Sequence, residues 1–235
     1  MFRLLKALSL TLALVALSFF TASCGSSSSA QIRVVHAISD GQALDVELNG
    51  TKIFTDMPFD SFQPSSGYTK VASGSDTILA LDTGTTTQVL SSSASLGGSA
   101  QYTVVLSGFQ ANASAALITD TNTAPASGNI AFRIIDASLA GPGTVDAYIV
   151  PPGTDITNVT PQISALSSNT QASAYVPIAF ATGGYAVIVT ANGNKTPIIN
   201  QTYIPPTGSI RTLVLLDIQG GGAISQFPLE LSDLN

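Results

Sequence analysis

Catalysis and metal binding draw on a short roster of side chains, and this chain is poor in them. It holds one cysteine, Cys24, and one histidine, His36. A Ser-His-Asp triad would have to use His36, yet no Gly-x-Ser-x-Gly elbow accompanies it. His36 also sits inside a strand-like run, and the matching position later in the chain is Asp136. A base needs its nucleophile and orienting partner within reach, so His36 reads as a structural hydrogen-bonding group. Zinc is set aside, because one His and one Cys leave only carboxylates. Calcium has better credentials: Asp40 and Asp45 flank one loop, and Asp136 and Asp146 the matching one. Hard cations gather several oxygens in such loops. There is no Asp-x-Asp-x-Asp-Gly run, however, and Asp favours turns by bonding its own backbone. The turn reading is preferred, and no catalytic, cofactor-binding or metal-binding residue is assigned.

The elements that must position these residues follow from composition. Of 235 residues only 9% are charged, against roughly 25% in an ordinary soluble protein. Hydrophobic residues make up 45%, enough for real cores and unlike a disordered chain. A lone cysteine excludes a disulfide scaffold. Residues 1–23 read as an export signal: Arg3 and Lys6, then a charge-free apolar stretch from Ala7 to Phe20, too short to span a membrane. It ends in Thr21-Ala22-Ser23-Cys24, which resembles the lipobox of bacterial lipoproteins, although Thr21 stands where Leu, Val or Ile is usual. That resemblance implies cleavage between Ser23 and Cys24 and acylation of Cys24. More than one acyl chain gives stable anchoring, and a free thiol in an oxidising compartment would be a liability. Residues 24–30 then form the lipidated Cys and a Gly/Ser tether. Gly25, not Asp, follows the cysteine, so a Gram-negative source would imply the outer membrane. Cleavage removes two of the eight basic residues and leaves all fourteen acidic ones, a net charge of −8. Such a chain has no footprint for nucleic acid.

The remainder repeats. Arg33-Val34-Val35-His36-Ala37 aligns with Arg133-Ile134-Ile135-Asp136-Ala137 at an offset of 100. Gly74, Gly84, Val89 and Thr103 align with Gly183, Gly193, Ile198 and Thr212 at an offset of 109. The second copy therefore carries extra residues, placed at the turn-rich Pro151-Pro152-Gly153-Thr154-Asp155 segment. Domain-sized copies result, 31–124 and 125–235, rather than solenoid repeats of about 20–45 residues. Both read as all-β. Val46 and Leu48 alternate with Asp45 and Glu47. Asn49-Gly50 and Asn192-Gly193 are hairpin signals suited to type I′ turns. Tyr102–Leu106 and Thr212–Leu216 are continuous apolar runs, expected to be central strands buried on both faces. A last strand is expected over Ile224–Leu231. Seven or so strands per copy indicate two tandem immunoglobulin-like β-sandwich domains.

Arg33-Val34-Val35-His36-Ala37, Asp45-Val46, Asn49 to Phe54 and Tyr102 to Val105 resemble the bacterial domain of unknown function 4397. The second copy is similar through Arg133 to Ala137, Val145 to Tyr148, Pro152 to Asp155 and Arg211 to Asp217. Ile38-Ser39-Asp40-Gly41-Gln42 replaces the family's usual Ser-Pro-Asp-Ala-Pro-like turn. The resemblance implies exported or lipid-anchored β domains, often in tandem, and supplies no catalytic residues.

The sequence thus points to a non-enzymatic cell-envelope lipoprotein, anchored to the membrane at Cys24, with a structural or protein-contacting role. A protein partner would use free strand edges, which only Lys52, Lys70 and Lys195 could blunt with a lysine. Protein contact or self-association is favoured, a glycan partner is the alternative, and Pro151–Thr160 is the loop expected to carry specificity. Glycan stacking is handicapped by the absence of Trp, and Tyr68 and Tyr175, which recur at matching places, read as packing residues. An envelope hydrolase ranks lower. The five Asn-x-Ser/Thr triplets, at Asn49, Asn112, Asn158, Asn194 and Asn200, are expected by chance in a Ser/Thr-rich chain.

Overall fold

The computed structural model describes residues 28–168 and 171–234. Cys24, the Ser23–Cys24 cleavage site and the signal segment lie outside the described residues. The first half contains β1 (Ser29–Ile38), β2 (Leu44–Leu48), β3 (Thr51–Met57), β4 (Ser61–Gln63), β5 (Thr69–Ala72), β6 (Gly74–Asp82), β7 (Gln88–Leu96), β8 (Gln101–Gly108) and β9 (Ser114–Asp120). The second contains β10 (Asn129–Asp136), β11 (Thr144–Val150), β12 (Ile163–Ser167), β13 (Gln171–Ala172), β14 (Val176–Ala179), β15 (Tyr185–Ala191), β16 (Pro197–Tyr203), β17 (Ile210–Leu215) and β18 (Leu229–Leu234).

The fold is all-β and sandwich-like, with the same strand order in both halves. One sheet of the first half runs β4-β1-β8-β9, with β5 also on β1; the other runs β3-β2-β6-β7. Their counterparts run β13-β10-β17-β18, with β14 also on β10, and β12-β11-β15-β16. In each half the first strand pairs in parallel with a late one: β1 with β8, and β10 with β17. Alternate residues of β1, Ile32, Val34 and Ile38, enter a core with Val46, Ile78, Leu90 and Val104. Ile130, Phe132 and Ile134 enter a second core with Val145, Val187 and Leu213.

The opposite faces of β1, β8, β10 and β17 are not solvated. Val35, Ala37 and Val105 pack on Ile135, Ala137, Val214, Leu216 and Leu231 in a third core between the halves. This explains the continuous apolar runs at β8 and β17, since each strand is buried on both faces.

Local turn chemistry follows the sequence with two corrections. Asn49 and Gly50 both adopt positive φ, 50° and 75°, as a type I′ turn requires. At the second hairpin only Gly193 does, at 72°, and Asn194 N–H bonds Ala191 C=O at 2.9 Å. Asn192 instead donates its side chain to Asp146 at 2.8 Å. The last strand spans Leu229–Leu234, not Ile224–Leu231. Gly220, Gly221 and Gly222 all have positive φ, and their turn ends in an isolated bridge between Asp217 and Ile224. The segment returns to the sheet only at Leu229.

Candidate functional site

The largest assembly of charged side chains among the described residues lies between the halves. Arg33 on β1 stands beside Thr103 on β8, and Arg133 on β10 beside Thr212 on β17 in the same parallel register. Each arginine donates its Nε to its threonine, at 2.8 and 3.1 Å. Each threonine hydroxyl then donates to a carboxylate of its own half: Thr103 to Asp120 at 2.6 Å, Thr212 to Asp233 at 2.5 Å. The ion pairs cross between halves. Arg133 Nη2 meets Asp120 at 2.6 Å, and Arg33 Nη2 meets Asp233. The longer diagonals, Arg33–Asp120 and Arg133–Asp233, are 3.6 and 3.7 Å.

Two tyrosines close the cluster. Tyr68 and Tyr175 donate to Asp120 and Asp233 at 2.8 and 3.1 Å. Their rings lie under the guanidinium groups of Arg33 and Arg133, at 4.9 and 4.5 Å. All four charged side chains are at most 2% exposed. Charge sums to zero, so the desolvation cost is met by direct pairing. Burial pulls the Arg133 guanidinium down, but Asp120, Tyr175 and Asp233 outweigh it and the net shift is upward. Burial drives both tyrosine hydroxyls well above their usual range. The arrangement is a neutral lock in which each carboxylate accepts an arginine, a threonine and a tyrosine.

The aspartates considered for calcium are largely spent on the backbone. Asp45 takes Lys52 Nζ at 2.7 Å, the N–H groups of Asp56 and Gly84 at 3.0 and 3.2 Å, and the Thr83 hydroxyl at 3.2 Å. Lys52, then Asp56 N–H, hold its carboxyl far below the usual range. Asp146 does the same job, accepting Ala165 N–H, Gly193 N–H and Asn192 at 2.8, 2.9 and 2.8 Å. Burial raises its pKa, and those hydrogen bonds more than reverse the rise. Asp56 and Ala165 both sit at positive φ beside a register shift, so each aspartate pins a bulge in an edge strand. Asp40 accepts Gln110 N–H at 2.6 Å. Asp136 takes Ser138 N–H and hydroxyl at 3.1 and 2.7 Å, leaving Oδ2 buried and unpartnered. Burial keeps that carboxyl above its ordinary range. Among the described residues no three His, Cys, Asp or Glu side chains gather as a metal site.

His36 is fully buried. Its Nδ1 accepts Ile38 N–H at 3.2 Å and Nε2 lies 2.9 Å from Gln42 C=O, so Nε2 carries the proton. Phe59 packs edge-on at 6.1 Å. Burial lowers the imidazole pKa, opposed by the Gln42 hydrogen bond. Tyr148, on β11 just before the Pro151–Thr160 segment, is 1% exposed. Lys195 lies 4.5 Å over its ring and donates to its hydroxyl at 3.0 Å and to Val159 C=O. The inserted segment folds Ile156 and Val159 onto Tyr148, Val150 and Ile188, covering the outer face of β11 and β15.

The sequence repeat had already superposed Arg33 on Arg133, Thr103 on Thr212 and Tyr68 on Tyr175. It missed Asp120 and Asp233. With charged residues so scarce, an aspartate closing the edge strand in both halves was the available signal.

Fold and cluster together define a class: an all-β protein of paired sandwiches whose buried charges serve to join the halves. The chain belongs to the family described as Domain of unknown function (DUF4397), whose sequence profile matches residues 30–148, just over half of it. The match continues past β10 into β11. No curated protein matches the chain. Among solved structures, it is similar to CBMbc, a family CBM26 module from Eubacterium rectale Amy13K crystallised with maltoheptaose, at 14% identity and a TM-score of 0.27 over 84% of this chain and 96% of that one. It is also similar to a streptococcal virulence factor described under alpha-glucan binding, at 10% identity and a TM-score of 0.27 over 85% and 97% of the two chains.

Proposed function

We propose that the protein is a non-enzymatic, lipid-anchored component of the bacterial cell envelope, made of two tandem sandwich repeats, 31–124 and 125–235, acting as one rigid body in a structural or protein-contacting role. The observation that carries this reading is the buried crossed pairing of Arg33 with Asp233 and Arg133 with Asp120. The chain's convergent titratable groups are spent on holding the halves together. Paired buried charges of this kind serve registry more than net stability, which suits a body that must keep a fixed shape. Cys24 supplies the anchor, and in a Gram-negative cell Gly25 directs the protein to the outer membrane. Contact with other envelope proteins uses the free strand edges.

The anchor is tested by detergent phase partitioning of the full chain and of Cys24→Ala. The parent enters the detergent phase and the variant the aqueous phase; equal partitioning contradicts the reading. The non-enzymatic part is tested on ester, peptide and glycoside panels. Turnover by the parent that disappears in His36→Ala contradicts it.

A further inference from the structure

Both halves point the same way. Gly220 N–H, beyond the end of β17, donates to Ser39 C=O, beyond the end of β1, at 2.7 Å. A Cβ on Gly221 would lie 2.6 Å from the Phe109 ring. The strands β1 and β10 therefore finish at one end of the molecule and begin together at the other. Ser28, the first described residue, marks that starting end, and only three residues separate it from Cys24. The four steps from Cys24 to Ser28 reach at most ~14 Å. If Cys24 is lipidated, the starting end is held close to the bilayer.

That end carries an exposed apolar pair. Ile204 is 69% exposed and Phe180 37%. Phe180 N–H donates to Gly128 C=O at 2.7 Å, just before β10, and Gly208 N–H donates to Asn129 C=O at 2.9 Å. Ile204 lies against Gly184, where a Cβ would meet it at 2.8 Å. Charge is distributed to match. Asp76, Asp120 and Asp233, nearest this end, are all buried. Lys70, opposite Gln31 on β5, is exposed there. The exposed carboxylates Asp40, Asp56 and Asp60 stand at the far end; Asp155, on the segment covering β11 and β15, and Glu230, ion-paired to Arg211 at 3.0 Å, are the exceptions.

We propose that Ile204 and Phe180 form a membrane seat that enters the headgroup–acyl boundary beside the lipid anchor and fixes the upright orientation of the molecule. The inference rests on the lipid-anchor reading. Two side chains do not hold a protein on a bilayer, but they orient one already tethered. Apolar side chains at such depth sit about 5–10 Å into the boundary.

The chain has no tryptophan, so a single introduced one is an unambiguous reporter. In the test, residues 1–24 are replaced by a hexahistidine tether. The protein is bound to phosphatidylethanolamine–phosphatidylglycerol vesicles containing nickel-chelating lipid and lipid with brominated chains. The seat is then read whether or not Cys24 carries lipid. Ile204→Trp and Phe180→Trp should show blue-shifted emission that is largely quenched by the brominated chains. Phe227→Trp, at a 68% exposed position on the far end, should emit as in water and escape quenching. Equal quenching at 204, 180 and 227 overturns the proposal. So does blue-shifted emission without lipid quenching that grows with protein density, which would assign the patch to a second copy. The Ile204→Trp chain that retains Cys24 separates the two readings. If it fails to reach membranes while the tethered protein is quenched, the anchor reading falls and the seat stands.

Discussion

Replacing Asp120 by Asn removes one charge from the lock between the halves and changes almost nothing in shape. In the parent, Asp120 receives Arg133 at 2.6 Å, Thr103 at 2.6 Å and Tyr68 at 2.8 Å, with Arg33 at 3.6 Å. The variant leaves two buried guanidinium groups facing Asp233 alone. Removing one partner of a buried pair costs about 3–5 kcal/mol, because a charge is left uncompensated out of water. Arg133→Met alone should cost a similar amount, since it leaves two carboxylates facing Arg33. The double variant restores charge balance, so its loss should fall short of the sum by about 1–3 kcal/mol. Denaturant unfolding of the four proteins, in a Cys24→Ala background, gives the cycle. Additivity within about 0.5 kcal/mol, or a single-variant loss below about 1 kcal/mol, would refute the claim that these residues act as one buried unit.

Other groups make separate expectations. Asp45 is held ionised in the fold, so the unfolded chain takes up its proton first as pH falls; the stability it contributes is present above about 3.9 and lost below that, and Asp45→Asn should flatten acid unfolding curves in this range. His36 is held neutral, so stability is lost as pH drops through about 6.5 toward its folded-state value, and His36→Gln should weaken that slope in thermal melts between neutral and mildly acidic pH. Asp136 runs the other way: its raised pKa contributes stability that is lost as pH rises past the unfolded value, so Asp136→Asn should raise the melting temperature at neutral pH and not at strongly acidic pH. Gly184→Ala should cost about 1–2 kcal/mol for its left-handed backbone alone, and more because the new Cβ would lie 2.4 Å from Tyr203 C=O; calorimetry checks it.

Much of this was legible in the sequence because matching segments recur in it at fixed offsets. Gly84 and Gly193, aligned at a fixed offset, turn out to give the N–H groups that Asp45 and Asp146 accept. The uninterrupted apolar runs at Tyr102 and Thr212 told of strands with no wet face, and the second half supplies the missing cover. The place of His36 inside β1 follows from the same strand reading. What escaped the sequence depends on contacts between halves. Arg33 between Ile32 and Val34 has the look of an outward, solvated residue until another sheet is laid over it. Asp233 sits beside a register shift in β18, where alternation no longer tells which face a residue takes. The inserted segment's turn residues suggest a loop clear of the sheets, whereas Ile156 and Val159 fold it onto Tyr148, Val150 and Ile188.

The central claim is that the halves form one rigid body, and a distance distribution tests it directly. Cys24 is the only cysteine, so in Cys24→Ala the exposed residues Ser91 on β7 and Asn200 on β16 can be changed to cysteine and spin-labelled on the two outer sheets. Pulsed electron-electron double resonance should give one narrow peak, unchanged by dilution and broadened by Asp120→Asn. A broad or multi-peaked distribution in the otherwise unaltered chain would contradict the account.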